Sequence, residues 1–157
     1  MAKLKVLMVC LGNICRSPLA EGILKNKINT NAISVDSAGT SATHAGELPD
    51  SRSIEVAQKY GIDITDQRSR PFETYDFSKF NYIYVMDQQN YKDVISQAQS
   101  DEDRNKVSLI LNSIEPKSNA EVPDPYYGGK NGFEHVYQLL DNACENIANQ
   151  LQKDGDS

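Results

Sequence analysis

The sequence predicts an α/β fold, a four-stranded parallel sheet with helices on both faces. Short apolar runs alternate with amphipathic stretches along the chain, the pattern of repeated βα units. The first run, "KVLMVC", has no polar alternation, as expected of a strand buried on both faces. No repeat, low-complexity tract or long linker divides the 157 residues, a length that suits one domain (1–157) with its own core.

Leu4–Cys10 reads as the first strand. Ser17–Asn29 follows as a helix with Ala20, Ile23, Leu24 and Ile28 on one face. Ala32–Ser37 reads as strand two, followed by the small and polar loop "AGTSATHAGELP". Asp50 or Ser51 can cap a helix over Ser53–Tyr60, with Ile54, Ala57 and Tyr60 inward and Gly61 as its stop. "FNYIYVMD" reads as strand three, ending at Met86, and Gln88–Ala98 as a helix. "KVSLIL" reads as strand four. A last helix starts near Phe133 and buries Val136, Leu139, Leu140, Ala143, Ile147 and Leu151.

A formal net charge of −6 argues against nucleic acid and anionic membranes as partners, because both call for a basic surface. Any anion must therefore be held by a local site. No apolar run reaches the length of a membrane span, and "KVLMVCLG" lacks the features of a secretory signal. Three cysteines (Cys10, Cys15 and Cys144) without framework spacing suit a reducing compartment. His44 and His135 lie far in sequence from the thiol pair, which argues against a zinc site; no metal is expected.

Right-handed crossovers carry the carboxyl ends of the parallel strands to one edge, where such sheets bind ligands. "VCLGNICRSP", residues 9–18, lies there, as do Ser37, Asp87 and the loop around Asp124. A turn over Leu11, Gly12, Asn13, Ile14 and Cys15, running into a helix opened by Arg16 and Ser17, aims several backbone N–H groups at one point. That is a cradle for a tetrahedral anion. Gly12 permits a positive φ or a close backbone approach, and Asn13 tolerates left-handed geometry. Arg16 is placed to grip two phosphoryl oxygens through its planar fork. Cys10 sits at the floor, where the amides, the helix end and Arg16 favour a thiolate and Ser17 can donate to the sulfur. An activated nucleophile in an anion site suits attack on phosphorus.

"CLGNICRSP" followed by Glu21 resembles the signature of the low-molecular-weight protein tyrosine phosphatases, and "VPDPYYGG" resembles that family's late acid loop. "DSAGT", "PDSRS" and "VMDQQN" fall in the family's order and spacing, so the resemblance covers nearly the whole chain. It implies a flavodoxin-like fold with strand order 2-1-3-4, metal-free phosphomonoester hydrolysis without a cofactor, and a cytoplasmic location. The implied substrates are a phosphotyrosine protein or a small aryl phosphate, with inorganic phosphate as product and inhibitor.

Phenolate leaves poorly until protonated, so the chemistry needs a general acid. Asp124, between Pro123 and Pro125, reads from the loop alone first as a turn aspartate, and it is the resemblance that makes it the candidate acid. Asp87 is expected to brace the site or to cap a helix. Tyr126 and Tyr127 either wall the pocket or pack into the fold, and Ile14 offers an apolar lip. The resemblance makes Ser37 a brace for Asn13 and Ser17. Two positions depart from the family pattern. Thr43 stands where many members carry an aromatic wall residue, and Gln67 where many carry a bracing histidine. His44, beside Thr43, reads first as a solvated loop residue, with a place facing the pocket as the alternative.

Cys15 is not needed for phosphoryl transfer and reads as a small buried side chain. The resemblance implies a second role, trapping oxidised Cys10 as a reversible disulfide. Cys144 reads as structural. Three rival readings exist. Arsenate reductases on this scaffold carry further cysteines around strand three, where this chain has "YIYVMDQQNY". Phosphoarginine phosphatases tend to carry threonine at the position of Ile14. A non-catalytic phosphotyrosine-binding module would have no need of intact Cys10, Arg16 and Asp124.

Overall fold

The computed structural model describes residues 3–126 and 129–155. Four parallel strands form one sheet in the order β2-β1-β3-β4: β1 Leu4–Cys10, β2 Ile33–Gly39, β3 Tyr82–Val85 and β4 Val107–Leu109. β1 is central, pairing with β2 from Leu4↔Ile33 to Cys10↔Gly39 and with β3 from Val6↔Tyr82 to Val9↔Val85. Because side chains alternate along a strand, β1 feeds two cores. Val6, Met8 and Cys10 face the layer of α1 (Arg16–Lys25), α2 (Ser51–Lys59) and α6 (Gly129–Gly155). Leu7 and Val9 face Phe72, Phe77 and Val94, the side of α3 (Asp76–Lys79) and α4 (Gln88–Ile95). A further helix, α5 (Asp101–Asn105), precedes β4.

Several boundaries differ from the sequence expectation. α1 ends at Lys25, because Asn26 and the following "KINTN" turn the chain through local bonds such as Lys27 N–H to the Leu24 carbonyl. β2 runs on to Gly39, where it meets Cys10, the last residue of β1. α2 is capped by Asp50 and buries Ser53, Val56 and Ala57, so its inner face is rotated from the expected stripe. Tyr60 instead stays exposed and stacks on Tyr137 with ring centroids 4.1 Å apart. Gly61 closes the helix with φ +79°. α4 stops at Ile95, and β4 gives way at Ile110 to a 3-10 turn, Ile110–Ser113. The short helices α3 and α5 carry too few turns to show a periodicity in the sequence. α6 begins at Gly129, ahead of the expected start, and buries the predicted stripe, with Leu139 at its margin.

Among the described residues no helix is long and apolar enough to cross a membrane.

Candidate active site

The loop between β1 and α1 is held by its own polar groups. Asn13 has φ 57°, so the left-handed turn falls on it and not on Gly12. Its Nδ2 donates to Ser17 Oγ at 2.8 Å and to Ser37 Oγ at 3.0 Å, and its Oδ1 accepts from the Arg70 N–H at 3.0 Å. Both amide hydrogens and the carbonyl are thereby engaged, which fixes the side chain's orientation. Ser37 passes its own hydrogen to Glu21 Oε1 at 2.7 Å. Ser17 Oγ lies 3.0 Å from Cys10 Sγ, and Asn13 N–H donates to the same sulfur at 3.3 Å. Gly39 explains why this loop can lie against the end of β2, since a Cβ there would meet the Leu11 carbonyl at 2.8 Å.

Arg16 is 3% exposed and bridges the end of β3 and the loop that carries Asp124. Its Nη1 donates to Asp87 Oδ2 at 2.7 Å and to the Val122 carbonyl at 2.9 Å. Its Nη2 lies 3.8 Å from Asp124 Oδ2. Burial opposes the guanidinium's charge, but Cys10, Asp87 and Asp124 outweigh it and raise the arginine above its ordinary value. Asp87 makes contacts in two directions. It caps α4 through Oδ1 to Asn90 N–H at 2.8 Å and pairs with Arg16 through Oδ2.

Cys10, Leu11, Ile14, Cys15, Arg16, His44, Asp124 and Tyr126 line one cleft of about 190 Å³ at the carboxyl edge of the sheet. Asp124 Oδ1 accepts from Tyr126 N–H at 3.0 Å, an Asx-type turn that orients the carboxylate. Burial, followed by Asp50, Cys10 and Asp124, pushes the Cys15 thiol up to about 12. Cys144 is fully buried, also pushed up by burial, and lies against the Ala20 carbonyl away from the cleft.

Three expected placements differ. Thr43 is exposed, with its hydroxyl 2.7 Å from Ser41 Oγ, and does not line the cleft. The turn closed by Ala45 N–H on the Ala42 carbonyl carries Thr43 outward and His44 inward. His44 takes the pocket-facing alternative and not the solvated one: it rests over Gly12 and is tied through Nδ1 to Glu47 Oε2 at 2.8 Å. Gln67 reaches the Pro18 carbonyl at 3.0 Å and not the Asn13–Ser17–Ser37 cluster, and its Oε1 is buried without a hydrogen-bond partner. The backbone of Arg70 occupies the place beside Asn13 instead. Tyr127 lies outside the described residues.

Arg70, Ser69 and the carbonyl of Val122 carry no signal in the sequence. Ser69 Oγ donates to the Gly12 carbonyl at 2.9 Å. These contacts come from backbone or from a loop far along the chain, which leaves no local pattern. Glu21 had a readable signal, four residues after Ser17 on the same helix face.

The family model described as "Low molecular weight phosphotyrosine protein phosphatase" matches residues 5–157. A low molecular weight phosphotyrosine protein phosphatase of Schizosaccharomyces pombe is 42% identical over 144 residues, covering 88% of this chain and 91% of the relative. A crystal structure of a protein tyrosine phosphatase from Entamoeba histolytica with Hepes in its active site superposes with a TM-score of 0.89. It is 39% identical and covers 96% of this chain and 98% of that one. A Drosophila arginine phosphatase superposes with a TM-score of 0.86 at 31% identity, covering 95% and 98%.

Proposed function

The chain belongs to the low molecular weight phosphotyrosine protein phosphatase family, and on that premise we propose that it hydrolyses phosphotyrosine and small aryl phosphates without a metal, through a phosphoryl group carried on Cys10. The observation that carries the reading is the joining of Cys10, Arg16 and Asp124 in one cleft.

The phosphoryl group sits on the amides of Leu11 to Ser17. Arg16 has one terminal nitrogen committed to Asp87 and Val122, so Nε and Nη2 form the fork that grips two phosphoryl oxygens. Cys10 Sγ attacks phosphorus, and the bond to the aryl oxygen breaks. Asp124, protonated, gives its proton to that oxygen as it leaves. The resulting carboxylate then takes a proton from water, whose oxygen attacks phosphorus. The phosphorus–sulfur bond breaks, the electron pair returns to sulfur, and the Ser17 hydroxyl stabilises the thiolate. Inorganic phosphate departs from the same cradle and competes with substrate for it.

Ile14, Tyr126 and His44 supply the walls for the aryl ring. The Asn13 cluster, with Ser37 and Asp87, holds the cradle in shape. Three unpaired cysteines support a reducing, cytoplasmic setting. Under oxidant, sulfenic acid formed on Cys10 condenses with the Cys15 thiol, losing water and giving a disulfide that a dithiol can reduce.

Phosphoarginine is the rival substrate, because the Drosophila arginine phosphatase has the same fold. The apolar Ile14 at the cleft favours an aryl group over a guanidinium. Hydrolysis of para-nitrophenyl phosphate, a phosphotyrosine peptide and phosphoarginine, measured in chelator, separates these readings. The first two should turn over and the third should lag. Faster phosphoarginine hydrolysis, or dependence on metal, contradicts the assignment.

A further inference from the structure

The loop carrying Asp124 is anchored at both ends. Upstream, Val122 N–H donates to the Met86 carbonyl at 2.8 Å, and its own carbonyl accepts from Arg16. Downstream, Arg52 Nη1 donates to the Tyr126 carbonyl at 3.0 Å. The same guanidinium lies 5.3 Å from the centroid of the Tyr126 ring and 4.6 Å from that of Phe133. Its other two nitrogens fork the Asp50 carboxylate, Nε to Oδ1 at 3.0 Å and Nη2 to Oδ2 at 3.0 Å. Asp50 in turn donates its backbone N–H to the carbonyl of Ile14, inside the cradle loop, at 2.8 Å. A short path of bonds therefore runs Ile14–Asp50–Arg52–Tyr126, from the cradle across α2 to the loop of Asp124.

We propose that Arg52 is a positioning residue for Asp124, setting the distance between that carboxyl and the phosphoryl group held over Cys10. The inference rests on reading Asp124 as the general acid. The planar fork is what makes the device work. Two of its three nitrogens are fixed by Asp50, so the remaining one points in one direction, and the neighbouring rings resist its rotation. Tyr126 N–H already orients Asp124 Oδ1, so fixing the Tyr126 carbonyl orients the whole turn. Displacements of about 1 Å in a catalytic group can cost on the order of a hundredfold in rate, so one tether of several has room to matter.

A residue that only stabilised α2 would affect every substrate alike. One that aims the acid matters most where the leaving group needs a proton. The test compares kcat/KM for a phosphotyrosine peptide and for para-nitrophenyl phosphate, whose leaving group departs more readily. It uses wild type, Arg52→Met, Arg52→Lys and Asp124→Ala, with inhibition by inorganic phosphate measured alongside. Arg52→Met should lose about tenfold on the peptide and about twofold on the nitrophenyl ester, a fraction of what Asp124→Ala loses. Its phosphate inhibition constant should stay within about twofold of wild type. Arg52→Lys, which can reach one acceptor but not form the fork, should recover part of the loss, and it supplies the same comparison if Arg52→Met fails to fold. Equal losses on both esters, unchanged activity, or phosphate binding weakened in step with kcat/KM overturns the proposal. If Asp124→Ala itself shows no dependence on the leaving group, the acid assignment fails, and the role of Arg52 falls with it.

Discussion

The hydroxyl of Ser17 lies 3.0 Å from the sulfur of Cys10, and it already accepts a hydrogen from Asn13 Nδ2 at 2.8 Å. With that lone pair engaged, Ser17's own hydrogen is free to point at the sulfur. A hydrogen bond to a charged group contributes about 1.5–3 kcal/mol. Ser17→Ala should therefore lower kcat by about ten- to a hundredfold, since each 1.36 kcal/mol is tenfold. The loss should be seen for good and poor aryl leaving groups alike, because in the proposed mechanism the stabilised sulfur is the group that leaves in the second step. A loss confined to phosphotyrosine would place the effect on the acid side instead.

Glu21 is 4% exposed, and burial holds its carboxyl above the ordinary range against the opposing bonds from Lys25 and Ser37. A carboxyl raised in the folded state binds its proton more tightly there than in the unfolded chain. Its contribution to stability is then greatest below the unfolded value, about 4.3, and declines as pH rises through the folded value. Glu21→Gln should remove that decline. Urea midpoints taken between about pH 4 and 7 should fall less steeply with pH in the variant than in wild type. Parallel curves would contradict the assignment.

Cys15 is held as a thiol, its value pushed up to about 12 by burial first and by Asp50, Cys10 and Asp124 after it. Iodoacetamide at neutral pH should leave Cys15 unlabelled in both wild type and Cys10→Ser. After peroxide treatment, recovery with dithiol should depend on Cys15, and Cys15→Ala should stay inactive. Closure of the disulfide should speed up by roughly tenfold per pH unit, because only the thiolate attacks. Equal recovery in both proteins would remove the protective role.

His44 lines the cleft and rests over Gly12, while Thr43 points away. His44→Ala should raise KM for aryl phosphates severalfold with a smaller effect on kcat, and Thr43→Ala should change neither. A KM effect at Thr43 would mean that the turn closed on Ala42 reverses when substrate binds.

The four parallel strands and the convergence of Cys10, Asp87 and Asp124 on one edge were legible in the sequence, because apolar runs and turn residues mark where strands end; the strand order came only from the family resemblance. The motif "CLGNICRSP" likewise carries its geometry locally, since loop, left-handed Asn13 and helix start are contiguous. Contacts made by long-range loops were not legible. Nothing in "DQRSRP" announces that the Arg70 N–H meets Asn13 Oδ1, and residue spacing alone could not tell Thr43 from His44 at the wall. One turn, Ala42 to Ala45, decides the latter, and its phase follows from tertiary bonds such as Gly46 N–H to the Ser69 carbonyl at 2.7 Å.

The proposed mechanism turns on a phosphoryl group carried by Cys10. Mixing Asp124→Ala with para-nitrophenyl phosphate, quenching in acid within a turnover and mapping the peptides by mass tests it most directly, with Cys10→Ser assayed beside it. One phosphoryl group should appear on the peptide holding Cys10, and Cys10→Ser should turn over no substrate. A phosphoryl group on another residue, or sustained turnover in Cys10→Ser, would contradict the account.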